Sequence, residues 1–173
     1  VNKLSEELTA LVQAGKIGTP QYAELKRRFG WEWNGMRLHE LYFDNMSKTA
    51  APFDKNSALG KKIQDQFGAY ENWEKDFKSS GTMRGIGWVI LYHDPQADQL
   101  FNTWVNEHDM GHLAGSNPLL VLDVFEHAYT LDYGLKKADY VEAFFKTISW
   151  QAVANRLWLS PAEFALWQES FKE

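Results

Sequence analysis

The residues best placed to do chemistry lie in Asp123-Val124-Phe125-Glu126-His127-Ala128-Tyr129. A strand that ends in aspartate and turns at once into a helix, with histidine four residues on, aims a carboxylate oxygen and an imidazole nitrogen at one point. That donor pair suits a divalent or trivalent first-row metal. Spacing leaves a plainer alternative open, in which Asp123 caps the helix and His127 is a hydrogen-bonded core histidine. His39 is by itself a lone histidine among apolar neighbours and gains meaning only in combination. The chain has no cysteine, which excludes a disulfide framework, a zinc ribbon and a thiolate nucleophile, and leaves His, Asp and Glu as the strong ligands.

The elements that must position these groups follow from periodicity. With 173 residues, 45% of them apolar, the chain can form one compact domain or two small lobes sharing a core. Its 18 basic and 23 acidic side chains give a net charge of -5 without a basic block, so no electrostatic footprint for nucleic acid or an anionic membrane is present. No apolar run approaches the roughly 20 residues that span a bilayer, and a soluble, cytoplasmic protein is expected. Helical spacing covers residues 1–13, with a stop at Gly15, and again 21–46, with interruptions expected near Gly30 and Asn34-Gly35. Two short amphipathic helices fall around Gly68 within 56–78. Residues 85–92 and 99–105 read as a hairpin with turn chemistry at His93-Asp94-Pro95-Gln96, which makes His93 an exposed turn residue. A polar loop (106–117) leads to a buried strand, Leu119 to Val124. The remainder is helical, with a capping box at Ser160-Pro161-Ala162-Glu163. The fold class is α+β: an antiparallel helical hairpin, then a three-stranded antiparallel sheet flanked by helices.

The segment at 123–129 resembles the Asp-Val-Trp-Glu-His-Ala-Tyr signature of the iron/manganese superoxide dismutases. Other segments follow in the same order. His39 with Tyr42, Phe43 and Asn45 looks like the family's Asn-His-x-x-Phe-Trp-x-Asn segment, and Gly85-Ile86-Gly87-Trp88 looks like its Gly-Ser-Gly-Trp strand. Asp139 to Phe144 with Trp150 resembles its closing helices, and Val1-Asn2-Lys3-Leu4 its Val-Asn-Asn-Leu. The likeness implies an N-terminal helical hairpin lobe at 1–50, incomplete at its start, a C-terminal lobe at 51–173, and a metal site between them. It also implies one Mn or Fe ion per subunit, superoxide as substrate, and a homodimer or tetramer.

Carried over by motif position, His39, Asp123 and His127 are metal ligands. The family's first histidine ligand lies upstream of the valine matching Val1, so the expectation is that a preceding segment supplies a fourth ligand. Gly35 stands where some members place a glutamine against the metal's solvent, so the outer-sphere donor is expected from the loop. His108, fifteen residues before Asp123, matches the position used by the histidine variants, with His112 as the competing candidate. Trp88, Phe125, Tyr42 and Phe43 would wall the pocket, although ordinary core aromatics would look the same. Phe125 replaces the family's tryptophan, and Thr130 stands where many members carry tyrosine. Glu126 and Tyr129 are implied at the dimer interface, Glu126 bonding the ligand histidine of a partner subunit. The implied reaction is one-electron cycling that converts superoxide to oxygen and hydrogen peroxide, which zinc cannot support. Two other readings stay open: a non-catalytic scaffold on the same fold, and a two-His, one-carboxylate iron protein with a different oxidative activity.

Overall fold

A computed structural model describes residues 1–157 of the chain; the capping box at Ser160 to Glu163 lies outside the described residues. Helix α1 (Asn2–Gln13) buries Leu8 and Leu11 and packs against α2 (Pro20–Asp44). At the start of α2, Thr19 Oγ1 accepts the Tyr22 N–H at 3.3 Å, and Pro20 takes the first helical position, where a missing N–H costs nothing. The helix then runs 25 residues without a break, straight through Gly30 and Gly35, where the sequence predicted interruptions. Each interior glycine costs about 1 kcal/mol relative to alanine. Burial of Leu38, Leu41 and Tyr42 in the core shared with the sheet offsets it.

Helices α3 (Ala58–Phe67) and α4 (Tyr70–Thr82) are separated by Gly68, left-handed at φ 76°, as the sequence predicts. Ser57 caps α3 by accepting the Gly60 N–H at 3.0 Å. Strands β1 (Gly87–Asp94), β2 (Gln99–Asn106) and β3 (Asn117–Asp123) form one antiparallel sheet in the order β2-β1-β3. Helices α3 and α4 lie against β2, α4 also against β1, and α2 and α7 (Trp150–Leu157) against β3. Val89 to Leu91 and Leu119 to Leu122 are fully buried, the pattern of strands covered on both faces.

Two local expectations change. Strand β1 continues through His93 and Asp94, which pair with Leu100 and Gln99, so the turn falls two residues later than predicted, closed by Asp98 at φ 52°. His93 is therefore not an exposed turn residue. It is 7% exposed, and its Nε2 lies 2.8 Å from Asp98 Oδ1, an acceptor that makes its burial tolerable. The helix expected directly after Asp123 is a single 3-10 turn, Glu126–Ala128, followed by α5 (Thr130–Tyr133) and α6 (Lys137–Phe145).

The outer edge of β3 is closed by side chains. Alternate carbonyls of a strand point the same way, and three in succession are taken: Leu119 O by Arg156 at 2.7 Å, Val121 O by the Asn45 amide, and Asp123 O by the Tyr140 hydroxyl at 2.7 Å. Arg156 is fully buried and also bonds Asn45 Oδ1, Leu41 O and Asp44 Oδ2, so the end of α2, the start of β3 and α7 meet at one guanidinium. Such covering removes an edge that could pair with another chain.

Candidate metal centre

Asp123 is the last residue of β3, pinned from both ends. Its carbonyl accepts from Tyr140, whose oxygen lies 3.0 Å from the Tyr42 hydroxyl, and its Oδ1 accepts the Phe125 N–H at 2.9 Å. That second bond makes the tight turn after the strand and leaves Oδ2 facing two imidazoles. His127 Nε2 is 3.1 Å from Oδ2, His39 Nε2 is 3.5 Å from it, and the two Nε2 atoms are 3.5 Å apart. Among the described residues these three side chains form the one His/Asp/Glu group close enough to share an ion.

The donor set fits a metal. His39 Nδ1 lies 2.6 Å from Gly35 O, one turn back on α2. A ring nitrogen facing a carbonyl must carry the proton, so Nε2 keeps its lone pair for the site. The point equidistant from the three donor atoms lies about 2 Å from each, the length of a bond from a first-row metal to imidazole or carboxylate. Burial pushes the Asp123 carboxyl above the ordinary aspartate range, against the lowering pull of the Phe125 N–H, His127 and His39. A buried anion facing two nitrogens is what a bound cation neutralises.

His108 comes from the loop after β2 and is 7% exposed. The Trp88 indole donates to its Nδ1 at 3.0 Å, which places the ring proton on Nε2. Burial, and after it the nearness of His39, holds its pKa below the ordinary histidine value, so the ring is neutral at neutral pH. Gly35 makes the space for it: a Cβ there would stand 3.1 Å from His108 Cδ2 and 3.2 Å from Nε2. His108 therefore presents an N–H donor above the turn of α2 that carries His39, their ring centres 6.2 Å apart.

The aromatic neighbours divide. Trp88, fully buried, meets His39 edge-on at 4.9 Å, and Phe125 lies parallel to His127 at 5.3 Å and beside His108 at 4.7 Å. Tyr42 is buried and turns its hydroxyl to Tyr140, so it supports Asp123 as well as filling space. Phe43 is 63% exposed and touches His39 only at 6.4 Å between ring centres, so it faces outward more than it walls the pocket. Glu126 is exposed and Tyr129 half-buried, stacked on Tyr140 at 5.5 Å. His112 stays away from the ligand atoms, with its Nδ1 on Tyr92 and its Nε2 on His108 O.

Sequence reasoning overlooked Trp31. Its indole N–H donates to Glu107 at 3.0 Å and its ring meets His108 edge-on at 4.4 Å. A signal was present, since Trp31, Gly35 and His39 are spaced four apart and share one helical face. The part played by Tyr140 in holding Asp123 had no such signal.

The arrangement has known relatives. Residues 55–156 match the family described as iron/manganese superoxide dismutases, C-terminal domain. The chain is 37% identical over 155 residues to superoxide dismutase [Mn] 2 of Haloferax volcanii, a match covering 90% of this chain and 76% of that protein. It is 41% identical over 134 residues to superoxide dismutase [Fe] of Cupriavidus metallidurans, covering 76% and 66%. Against superoxide dismutase [Fe] of Saccharolobus solfataricus the identity is 34% over 160 residues, covering 90% and 75%. A strand-end aspartate, two histidines brought to it from separate elements, and similarity along most of the chain lead to one conclusion: the chain belongs to the iron/manganese superoxide dismutases.

Proposed function

We propose that the protein is a superoxide dismutase using one Mn or Fe ion per subunit, with His39, Asp123 and His127 among the ligands. The observation that carries this reading is the convergence of His39 Nε2, Asp123 Oδ2 and His127 Nε2 within 3.5 Å of one another, in a chain similar to both Mn and Fe enzymes. The overall reaction takes two superoxide ions and two protons to oxygen and hydrogen peroxide. The bound ion supplies one-electron cycling between its divalent and trivalent states, which imidazole and carboxylate donors suit.

The chain's own residues do the rest. Asp123 brings a negative charge that favours the more highly charged ion. His108, neutral and protonated at Nε2, donates a hydrogen bond to an oxygen lodged in the site, and Trp88 fixes the tautomer that makes this possible. Trp88, Phe125 and Tyr42 keep the surroundings dry, which strengthens each of these electrostatic contacts. Glu126, beside His127 on the same exposed turn, together with the exposed Leu131 (96%) and Leu135 (99%) further along the chain, supports a symmetric dimer in which it reaches the partner. We place the division between a helical lobe and a sheet lobe near residue 50. Among the described residues no helix is long and apolar enough to cross a membrane. A cytoplasmic location belongs to the same proposal, and cell fractionation tests it.

The test is metal content and superoxide removal on purified protein. His127→Ala is expected to lose metal and weaken the dimer together, whereas His108→Ala keeps metal and loses turnover by about tenfold or more. Equal metal loss in both variants overturns the division of roles, and wild-type protein without Mn or Fe overturns the enzyme reading.

A further inference from the structure

His108 sits at the tip of a short loop after β2, closed by reciprocal backbone bonds between Asn106 and Met110 of 2.8 and 3.3 Å. Glu107, just before it, is held left-handed at φ 50°, a conformation a non-glycine residue keeps only when its surroundings impose it. Trp31 grips the same residue from the α2 side through a 3.0 Å bond to the Glu107 carboxylate. The other side of the tip is held by His112, four residues on, whose Nε2 lies 2.8 Å from His108 O.

The protonation of this second grip follows from its two partners together. The Tyr92 hydroxyl lies 2.7 Å from His112 Nδ1, on a side chain that is 3% exposed. Burial pushes the Tyr92 phenol well above its ordinary pKa, so it stays protonated. A carbonyl can only accept, so Nε2 of His112 carries the proton and donates to His108 O, and Nδ1 accepts from Tyr92. A pocket of about 250 Å³ lies beside the pair, lined by Asn34, Arg37, Leu113 and Ser116 among others, so these two bonds rather than close packing on that side hold the His112 ring.

We propose that His112 is a positioning residue for His108: anchored at Nδ1 by Tyr92 and donating from Nε2, it fixes the His108 carbonyl and so keeps the His108 ring on the Trp88 indole with its Nε2–H toward the metal centre. This rests on His108 being the donor there, and it adds a residue pair on β1 and the loop to the machinery that sets the donor's aim. His112 bonds Tyr92 and the His108 carbonyl rather than the ligand atoms.

The experiment is hydrogen exchange of the tryptophan indole N–H groups by nuclear magnetic resonance in the metal-free full chain. The Trp88 indole reports His108 directly, and the Trp73 indole, which donates to Asn102 Oδ1 at 3.0 Å, is an internal control for global loosening. His112→Phe is expected to speed Trp88 exchange about tenfold with Trp73 unchanged, the loss that follows when one buried hydrogen bond is removed. His112→Gln, whose amide can donate to the same carbonyl, is expected to restore Trp88 exchange to within about twofold of wild type. Equal acceleration at both indoles, no change at Trp88, or a glutamine no better than phenylalanine overturns the proposal. If His108 is not the donor, His108→Ala leaves turnover untouched while Trp88 exchange still responds to His112, so the two failures read differently.

Discussion

Trp73 and Trp88 are alike in every property a composition table records. Each is fully buried, each donates its indole N–H at 3.0 Å, and each sits among aromatic rings. Their company differs. Trp73 packs on Tyr70, Phe77, Phe145 and Trp150, and its N–H goes to Asn102, an amide that does not titrate. Trp88 packs on His39, His108 and Phe125, and its N–H goes to an imidazole whose tautomer it decides. The first cluster glues α4, the end of α6 and the start of α7 to the sheet, while the second is a wall around ionisable groups. What separates a core from a site is the acceptor each indole finds.

The largest way to break this contrast is Trp73→Ala. Deleting a fully buried indole is expected to cost about 3–5 kcal/mol of stability, read as a lowered urea midpoint for the whole chain. Metal binding would fall with it, because β1 and β3, which that cluster supports, carry Trp88 and Asp123. A midpoint near wild type would mean the glue is elsewhere. Next in size is His127→Ala, expected to lower metal affinity by more than about a hundredfold, since even residues that only orient ligands are worth that much. The metal-free stability should move by less than about 1 kcal/mol, because the His127 side chain is 58% exposed. Metal analysis alongside denaturation separates the two variants: the first loses fold and site together, the second only the site.

The smallest effect sharpens the comparison by its sign. Burial raises the Asp123 carboxyl pKa, so between its unfolded and folded values the folded state binds more protons. Metal-free stability from this group therefore falls as pH rises through that window and stays low above it. Asp123→Asn removes the buried charge while its amide can still bond Phe125 N and His127, so it is expected to stabilise the metal-free chain by about 1 kcal/mol at pH 7 and by nothing at pH well below the window. Denaturation at two pH values checks this, and a variant less stable than wild type at pH 7 would show that burying the carboxylate carries no penalty.

Much of the fold was legible. The three strands, the helix pair around Gly68 and the carboxylate closing β3 follow from periodicity, because those segments obey local rules. Helix α2 did not, since Gly30 and Gly35 are poor helix formers and only burial against the sheet, a long-range fact, overrides them. The site was legible as a motif, Asp123 with His127, while its supports were not. Tyr140, Tyr42 and His112 act through hydrogen bonds to residues 17 to 98 positions away or to a backbone carbonyl, and no spacing rule encodes such partners; only Trp31, on the helical face of Gly35 and His39, left a mark in the spacing. His93 was misplaced because turn residues lay beside it, and only the register to Leu100 puts it in the strand.

The buried guanidinium at Arg156 has a temporal consequence. It fastens Leu41 O, Asp44 and Asn45, at the end of the helix that carries His39, across 111 to 115 residues of chain. Synthesis proceeds from the N-terminus at about 5–20 residues per second, so the ribosome has delivered His39, Asp123 and His127 seconds before the residue that locks their scaffold emerges. Bracing of the helix end that carries His39 thus waits on a residue made well after Asp123 and His127.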